Sequence, residues 1–277
     1  MTQDERRLLE EKYLGDASAP GFAADRERLA SGEPLAYVIG WQPFLGLKIF
    51  LDSHPLIPRP ETEWWTEHLL KESAKAEQTD QVVSGASASD GERHEQIFSR
   101  KLCVPRNGMN GLCFLDLCAG SGAIGCAALK ALPYMEVFFG EIDQAHEATI
   151  HKNIHENNLD ARRAHIRIGD LFEPFAEMTF DIIAANPPYI PSSRTLDSSV
   201  ADYEPPRALY AGTDGLAIIR RIASELPRHL SKNGTAWIEC DSSHAEAARE
   251  LFESNDLVAE IRPDQYGAPR VIVVSWP

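Results

Sequence analysis

The 277-residue sequence predicts an α/β fold built on a doubly wound, Rossmann-like parallel sheet of seven strands. From Gly111 onward, short apolar runs alternate with amphipathic helical patterns, which is typical of parallel strands joined by helices. The last two runs follow one another without a helix, which predicts a hairpin and hence one antiparallel strand at the end of the sheet. Residues 111–277 are therefore expected to form one domain.

The elements of this domain follow from those runs. Apolar, β-prone stretches predict the strands, and apolar residues spaced three or four apart predict the helices. In chain order the strands are LCFLDLC, MEVFFGEI, HIRIG, FDIIAAN, TAWIECD, VAEIRP and RVIVVSW, and the helices are SGAIGCAALKAL, AHEATIHKNIHENN, DGLAIIRRIASELPRHL and HAEAARELFES.

Residues 1–71 are expected to form a short N-terminal helical segment, a β-hairpin and a loop. LLEEKYL and ADRERLASG predict short helices, and the second ends at Gly32. GEPLAYVIGWQPFLGLKIFLD mixes aromatic and β-branched residues with glycines, which predicts two strands around a turn. HPLIPRPETEWWTEHLLKE predicts a proline-rich loop and a helix that starts at Glu61 or Thr62 and ends near Lys71.

Residues 72–110 differ in composition from the segments on either side. They are rich in Ser, Ala, Gly and charged residues and contain few large apolar side chains. Such a segment buries little apolar surface, so we expect a flexible insert or linker between residues 1–71 and 111–277.

The composition disfavours several classes of protein. Apolar residues make up 43% of the chain, and no run approaches the ~18 consecutive apolar residues of a membrane span. The acidic start, MTQDERRLLEEKYLGD, fits neither a secretory signal nor a transit peptide, which favours a soluble cytoplasmic protein without a membrane partner. The net charge of −15 disfavours a protein that binds nucleic acid by its phosphates and suits a basic protein partner.

The sequence predicts no metal site. The five cysteines form no CxxC pair, so buried free thiols are expected. His151 and His155 would share one face of a helix, but an HExxH glutamate and a nearby cysteine are both missing. A solvated helix face is the expected interpretation of that pair.

A glycine loop follows the first strand of the sheet. FLDLC runs into AGSGAIG, where Gly120 and Gly122 allow a tight turn and the close approach of a ligand. The pattern is DxxxGxG, with Cys118 where a first glycine is usual, and not the GxGxxG of a pyrophosphate site. It favours S-adenosylmethionine, which has no phosphate, although a plain strand–turn–helix packed with small residues is the alternative.

Carboxylates at the strand ends suit the rest of such a cofactor. Glu141 ends the second strand, 19 residues after Gly122, where a carboxylate can bind two ribose hydroxyls. Asp143 is the second candidate for binding the ribose, but it lies two residues beyond the expected strand end, and a cap of the next helix is the favoured interpretation. Asp116 is an acid inside an apolar strand and therefore needs a partner, for which the cofactor's ammonium is the candidate, directly or through water.

The third strand ends in HIRIGDLF. Asp170 can accept a hydrogen bond from an adenine amino group, and Leu171 or Phe172 can cover the face of the ring. The alternative is a solvated acid in a turn, followed by two core residues.

The stretch AANPPYIP places Asn186 at the carboxyl end of the fourth strand, beside the expected cofactor. Pro187 and Pro188 hold the backbone extended and donate no hydrogen bonds. The Asn186 oxygen and a backbone carbonyl can therefore bind both hydrogens of a planar –NH2 group, and Tyr189 offers an aromatic wall. This suits methyl transfer to adenine, cytosine or glutamine nitrogen, which needs orientation and no strong base. The alternative is a strand that ends in a proline-rich turn.

Together these motifs resemble the release-factor glutamine methyltransferases, which modify the glutamine of the GGQ loop in peptide-chain release factors. The resemblance covers about Gly32 to Leu70 and Gly111 to Pro277. NPPYIP is shared with amino-methyltransferases of nucleic acids, whereas IPRPETE and YEPPRALYAGTDGL are more specific. GEPLAYVIG, DLCAGSGAIG and GDLF complete the match. The implied fold is the seven-stranded Rossmann-like methyltransferase sheet, with a short N-terminal helical segment and a β-hairpin.

The resemblance implies a role for each motif. As catalytic and substrate-binding groups, Asn186 and the Pro187 carbonyl would hold the glutamine amide, with Pro188 and Tyr189 completing the pocket. S-adenosyl-L-methionine would be bound by Cys118, Ala119, Gly120, Ser121, Gly122, Glu141 and Leu171, beside the Asp116, Asp170 and Asn186 suggested by the strand ends. The substrate would also contact the loop of Arg59, Pro60, Glu61 and Thr62, for which a helix-capping turn is the alternative.

The implied partner is the GGQ domain of a release factor, bound by a monomeric enzyme with no direct nucleic-acid contact. The chain departs from the family in its short start before GEPLAY, in Cys118, in Glu141 for the commoner aspartate, and in its longer insert. One alternative is an amino-methyltransferase of adenine or cytosine in DNA or RNA, which would flip the base into the pocket and which the −15 charge disfavours. A non-catalytic binding module is disfavoured by the intact NPPY.

Overall fold

The computed structural model describes residues 1–85 and 111–277. Within these ranges the helices are α1 (Gln3–Tyr13), α2 (Phe22–Ala30), α3 (Leu35–Ile39), α4 (Pro60–Gly85), α5 (Ala123–Ala131), α6 (Glu147–Glu156), α7 (Ser198–Ala201), α8 (Pro206–Leu209), α9 (Ala217–His229) and α10 (Ala245–Glu253). The strands are β1 (Trp41–Phe44), β2 (Leu47–Phe50), β3 (Leu112–Leu117), β4 (Met135–Glu141), β5 (Ala164–Ile168), β6 (Phe180–Ala185), β7 (Leu230–Glu239), β8 (Val258–Pro263) and β9 (Pro269–Ser275).

The predicted seven-stranded sheet is confirmed, in the order β5-β4-β3-β6-β7-β9-β8. The five strands from β5 to β7 in this order run parallel, and β9 is antiparallel to both β7 and β8. The antiparallel strand therefore lies one place inside the edge and does not form the end of the sheet. Ile272 and Val274 of β9 are buried, whereas β8 exposes Val258 and Glu260, so the less buried strand takes the solvent edge.

Helices cover both faces of the sheet, as a parallel sheet requires. On one face, α4, α5, α6 and the β1–β2 hairpin pack over residues such as Phe114 and Phe139. On the other face, α9 and α10 pack over Leu115 and Phe138. Neighbouring residues of one strand are thus buried on opposite sides. This is why the central strands appear in the sequence as nearly continuous apolar runs.

The segment GEPLAYVIG forms helix α3, and not the strand expected from its β-branched and aromatic residues. Pro34 precedes the helix, and Gly40, with a φ of 96°, ends it in the left-handed conformation. Residues 36–39 of α3 are buried, and Val38 packs with Leu8 and Phe22 of the first two helices. The predicted hairpin is confirmed, but it begins only at Trp41.

Helix α4 begins at Pro60 and continues to Gly85, well beyond the end predicted near Lys71. Proline is suited to the first position of a helix because its missing N–H has no partner there in any case. Residues 72–85 contain few large apolar side chains, but alanine, glutamate, glutamine and lysine form helices readily. The predicted flexible segment is therefore helical up to Gly85, and the remainder, 86–110, lies outside the described residues.

One buried side chain joins the hairpin to the glycine loop. Asn153 of α6 accepts a hydrogen bond from Phe50 N (2.6 Å) and donates to the carbonyl oxygens of Phe50 (3.1 Å) and Ser121 (2.8 Å). The hairpin is therefore held against the loop after β3. In the two described ranges, no helix is both long enough and apolar enough to span a membrane.

Candidate functional site

A cleft of about 810 Å³, open solvent included, lies at the carboxyl ends of the parallel strands. In the sheet, β4 and β5 follow β3 on one side, and β6 and β7 lie on its other side, so the order of the strands reverses at β3. Ligands of such sheets bind at this point. The residues predicted as a site that line it are Cys118, Gly120, Glu141, Asp170, Leu171, Asn186 and Pro188. Residues missed by the sequence reasoning also line it, among them Leu56, Ile142, His146, Arg207 and Ile218. The ends of four strands, β3, β4, β5 and β6, thus contribute to one cavity.

The glycine loop enters the cleft in an unusual backbone conformation. Gly120 and Gly122 have φ values of 55° and 76°, and Cys118 has a φ of 63°. The left-handed region costs a residue with a Cβ roughly 1–2 kcal/mol, so the cysteine occupies a position that favours glycine. Its half-buried side chain lines the cleft and packs beside the apolar face covered by α9 and α10, which offsets part of that cost.

Glu141 anchors this loop from the end of β4. Its Oε2 accepts a hydrogen bond from Gly120 N (2.7 Å), and its Oε1 accepts one from Asp143 N (2.8 Å). Each oxygen keeps a further lone pair for a ligand hydroxyl. Asp143 caps the following turn by accepting from Ala145 N (2.9 Å), so the predicted capping role is confirmed.

Asp116 lies beneath the loop and is not among the residues that line the cleft. Its carboxyl is completely buried, and Oδ2 accepts a hydrogen bond from Gly125 N at the start of α5 (2.8 Å). Within the described ranges Oδ1 has no hydrogen-bond partner. Burial raises the pKa of Asp116 to about 8, and the charge of Glu141 adds to this, while the Gly125 bond lowers it. The contact with a cofactor ammonium stays a prediction.

We expect Asp116 to make stability fall as the pH rises from about 4 to about 8. In the unfolded chain its pKa is about 3.9, so the folded protein holds a proton that the unfolded chain releases. That stabilising contribution is complete below the unfolded pKa and is lost as the pH passes through the folded pKa. The slope is at most about 1.4 kcal/mol per pH unit.

Urea unfolding of wild type and Asp116→Asn across this pH range measures the effect. The difference in free energy of unfolding between the two proteins is expected to change with pH, because only wild type has the titrating group. The same substitution at the exposed Asp202 serves as the control for loss of one charge. A wild-type minus Asp116→Asn difference that stays constant with pH would contradict the assignment.

The GDLF turn divides its side chains between the cleft and the core. Asp170 accepts a hydrogen bond from Arg221 of α9 (2.9 Å), and Leu171 lines the cleft with a φ of 50°. Phe172 is buried and stacks on His229, with ring centroids 4.4 Å apart. Of the two candidates for covering an adenine ring, only Leu171 therefore faces the cleft.

The NPPY loop leaves β6 directly into the cleft. Asn186 and Pro188 line it, while Pro187 is buried. The Asn186 side chain donates from Nδ2 to Thr62 Oγ1 (3.0 Å). Tyr189 does not line the cleft, since its hydroxyl donates to the buried carboxylate of Glu239 (2.9 Å). The aromatic wall expected from this tyrosine therefore lies behind the loop.

The two most family-specific motifs of the sequence meet beside the cleft. Arg59 of PRPETE forms an ion pair with the buried Glu204 of YEPPRAL, and Glu204 also accepts a hydrogen bond from Ile57 N (3.1 Å). Thr62 is buried within the first turn of α4 and is brought to Asn186, so it is not a helix cap.

The other members of this loop and of the glycine loop lie at the margins. Pro60 is exposed and Glu61 is half-buried, and neither lines the cleft. Ala119 and Ser121 are buried within the glycine loop, and they do not line the cleft either. Their predicted roles in binding substrate or cofactor stay predictions.

Glu204 and Glu239 are functional candidates that the sequence reasoning missed. Glu239 ends an apolar strand, TAWIE, and this is the same signal that identified Glu141. Glu204 lies in a loop and carries no comparable local signal. Their partners are distant in the chain, and so they become evident only in the folded protein.

The described ranges contain no group of three or more His, Cys, Asp or Glu side chains that could hold a metal ion. His151 and His155 both lie on the exposed side of α6, as predicted. Cys113, Cys126 and Cys240 are buried and Cys118 is half-buried, while Cys103 lies outside the described residues.

Comparison with known proteins agrees with this geometry. A family model described as "Methyltransferase small domain" matches residues 103–202. Among solved structures, the hMettl16 catalytic domain in complex with MAT2A 3′UTR hairpin 6 superposes with a TM-score of 0.51, over 84% of this chain and 76% of that one. At 15% identity this similarity shows a shared fold alone.

Curated relatives extend over most of the chain. The "Release factor glutamine methyltransferase" of Lactococcus lactis subsp. lactis (strain IL1403) is 31% identical, covering 90% of this chain and 80% of the relative. The protein of the same name from Agrobacterium fabrum (strain C58 / ATCC 33970) is 35% identical, covering 91% of this chain and 77% of the relative. The one from Streptococcus pneumoniae (strain ATCC BAA-255 / R6) is 30% identical, covering 99% of this chain and 81% of the relative. The resemblance carried by the motifs is thereby confirmed, and the chain belongs to the release factor glutamine methyltransferase family.

Proposed function

We propose that this protein transfers a methyl group from S-adenosyl-L-methionine to the side-chain amide nitrogen of the glutamine in the GGQ loop of peptide-chain release factors. The observation that carries the proposal is the orientation of the Asn186 amide at the cleft. Its Nδ2 is occupied by Thr62 Oγ1, so its Oδ1 remains to accept a hydrogen bond from an incoming –NH2 group. The curated relatives carry the name of this activity.

Bound S-adenosyl-L-methionine supplies the methyl group. The loop from Cys118 to Gly122 fits this cofactor because its backbone turns sharply at the cleft without a phosphate-binding pattern. The two Glu141 oxygens, each with a free lone pair, suit the ribose hydroxyls, and Asp170 and Leu171 suit the adenine. The family to which the chain belongs supports the same assignment.

The chain's own residues orient and stabilise the glutamine amide. A bond forms between the amide nitrogen and the methyl carbon while the carbon–sulfur bond breaks, and its electron pair remains on sulfur. The nitrogen gains positive charge until a proton leaves to solvent. Asn186 Oδ1 and the Pro187 carbonyl, which receives no hydrogen bond within the described ranges, accept the amide hydrogens and stabilise that charge.

The acidic chain suits a protein substrate better than a nucleic acid. The net charge of −15 opposes a polyphosphate backbone. Methylation of adenine or cytosine is not favoured by the curated relatives. Because release factors act where translation terminates, we propose that the enzyme works in the cytoplasm.

Methyl-labelled S-adenosyl-L-methionine provides the test. We incubate the protein with a bacterial release factor, with the same factor whose GGQ glutamine is changed to alanine, and with mixed DNA and RNA. The expected result is label on the factor that retains its GGQ glutamine, and none on the alanine variant or the nucleic acids. Equal label on the alanine variant would show that the site is wrong, and label on nucleic acid alone would overturn the proposal.

A further inference from the structure

A buried carboxylate lies directly behind the catalytic loop. Glu239 ends β7 and is 1% exposed. Its Oε2 accepts hydrogen bonds from Thr62 Oγ1 (2.7 Å) and Trp65 Nε1 (2.7 Å), and its Oε1 accepts one from the Tyr189 hydroxyl (2.9 Å). Two of these donors belong to the first turns of α4, and the third belongs to NPPY. Glu239 therefore joins α4 to the catalytic loop.

These contacts fix the direction of the hydrogen bonds that reach Asn186. An ionised carboxylate only accepts, so the Thr62 hydroxyl uses its single hydrogen on Glu239. The Thr62 oxygen can then only accept, and Asn186 must present its NH2 group to it (3.0 Å). The amide is thereby prevented from turning over, which would exchange Oδ1 for Nδ2 on the substrate side.

The contacts of Glu239 oppose the effect of burial on its carboxyl. Burial raises the pKa of Glu239 above its usual value, and hydrogen bonds from Trp65, Thr62 and Tyr189 and the positive charge of Arg270 offset only part of that rise. The acceptor role of Oε2 follows from its two donors, the Thr62 hydroxyl and the Trp65 indole. The Trp65 indole N–H can only donate, so it holds Oε2 as an acceptor. Glu239 does not line the cleft and so acts through other residues and not as a base.

We propose that Glu239 is a positioning residue which, through the Thr62 hydroxyl, sets the Asn186 amide with its oxygen toward the substrate. The inference rests on the proposed function, since it explains why the site presents an acceptor to an amide NH2. A glutamine nitrogen meeting Nδ2 instead of Oδ1 would face two donors at one position. The reaction would then lose its alignment and its stabilisation of the developing charge.

A double-mutant comparison of kcat tests this relay. Glu239→Gln keeps the volume but can donate to Thr62, and Thr62→Val keeps the shape but has no hydroxyl. Each is expected to lower kcat by about 10- to 100-fold through misalignment of the amide. Because both break the same relay, the double variant is expected to be no slower than the slower single variant.

The conservative variant Thr62→Ser separates positioning from packing. It keeps the hydroxyl and is expected to recover most of the rate that Thr62→Val loses, with unchanged affinity for S-adenosyl-L-methionine. A double variant whose loss is the product of the single losses would overturn the relay. So would Thr62→Ser being as slow as Thr62→Val. If Glu239→Gln fails to fold, comparison of Thr62→Val with Thr62→Ser still tests whether the Thr62 hydroxyl positions the Asn186 amide.

Failure of the proposed function is recognised separately. If wild type labels no GGQ glutamine, the proposed function is wrong, and NMR of the Asn186 side-chain amide then tests the relay. Its protons are expected to exchange with solvent faster in Glu239→Gln and Thr62→Val than in wild type. Equal exchange in all three proteins would overturn the relay.

Discussion

Asn186→Ala is expected to lower kcat for methyl transfer to a release factor by about 10²- to 10³-fold, the range for loss of one group that stabilises transition-state charge. The substitution removes the Oδ1 acceptor at the cleft, while the glycine loop and Glu141 remain intact. The affinity for S-adenosyl-L-methionine, measured by calorimetry, is therefore expected to change much less than kcat. The ratio of the two effects shows which ligand the side chain serves.

Asn233→Ala is the matched control for this experiment. Asn233 lies near the start of β7, at the opposite end of that strand from Glu239, and its side chain is exposed. We expect wild-type rate and wild-type cofactor affinity. If Asn186→Ala weakened cofactor binding as much as it slowed transfer, Asn186 would serve the cofactor and not the substrate amide.

Gly215→Ala is expected to destabilise the fold by about 3 kcal/mol and to slow methyl transfer at least about tenfold. Gly215 has a φ of 76°, and a Cβ there would lie 2.4 Å from the carbonyl oxygen of Tyr189. That distance forces the backbone of the NPPY loop to move, because side-chain adjustment cannot relieve a clash with a carbonyl. The glycine of the DGL segment therefore allows the chain to pass close to the NPPY loop.

Gly212→Ala isolates the clash from the cost of the left-handed backbone. Gly212 has a similar φ of 79°, but a Cβ there meets only the Cβ of Ala217, at 3.3 Å. We expect it to lose about 1–2 kcal/mol and to keep most of its activity. Urea unfolding and initial rates measure both variants. Equal stability and equal rates for the two would show that the Tyr189 contact has no effect.

Sequence patterns predicted those features that depend on neighbouring residues. The alternation of strands and helices indicated the sheet, and an acid at a strand end indicated Glu141 at the cleft. Where a local pattern fits two structures, the prediction was less secure. The β-branched and aromatic residues of α3 suggested a strand. The segment is helical because, as a helix, its side chains complete a small core with α1 and α2.

Features that depend on distant contacts were not predictable in this way. Thr62 and Glu239 are 177 residues apart, and Arg59 and Glu204 are 145 apart. A single sequence contains no signal that pairs such residues. The position of β9 between β7 and β8 could not be predicted for the same reason. It depends on which strand of the β8–β9 hairpin pairs better with the distant strand β7.

The bond from Thr62 to Glu239 also bears on how the enzyme could be divided. A fragment of residues 111–277 would retain the glycine loop and all of NPPY. It would lose the hydroxyl of Thr62 and the indole of Trp65, so that of the three side-chain hydrogen bonds to Glu239 only the one from Tyr189 would remain, at a cost of about 1–3 kcal/mol for each missing bond. The sheet face under α4 and the hairpin would also lose its cover. Residues 111–277 are therefore not expected to work as an independent enzyme, because the site proposed for the glutamine amide is completed by helix α4 from the preceding part of the chain.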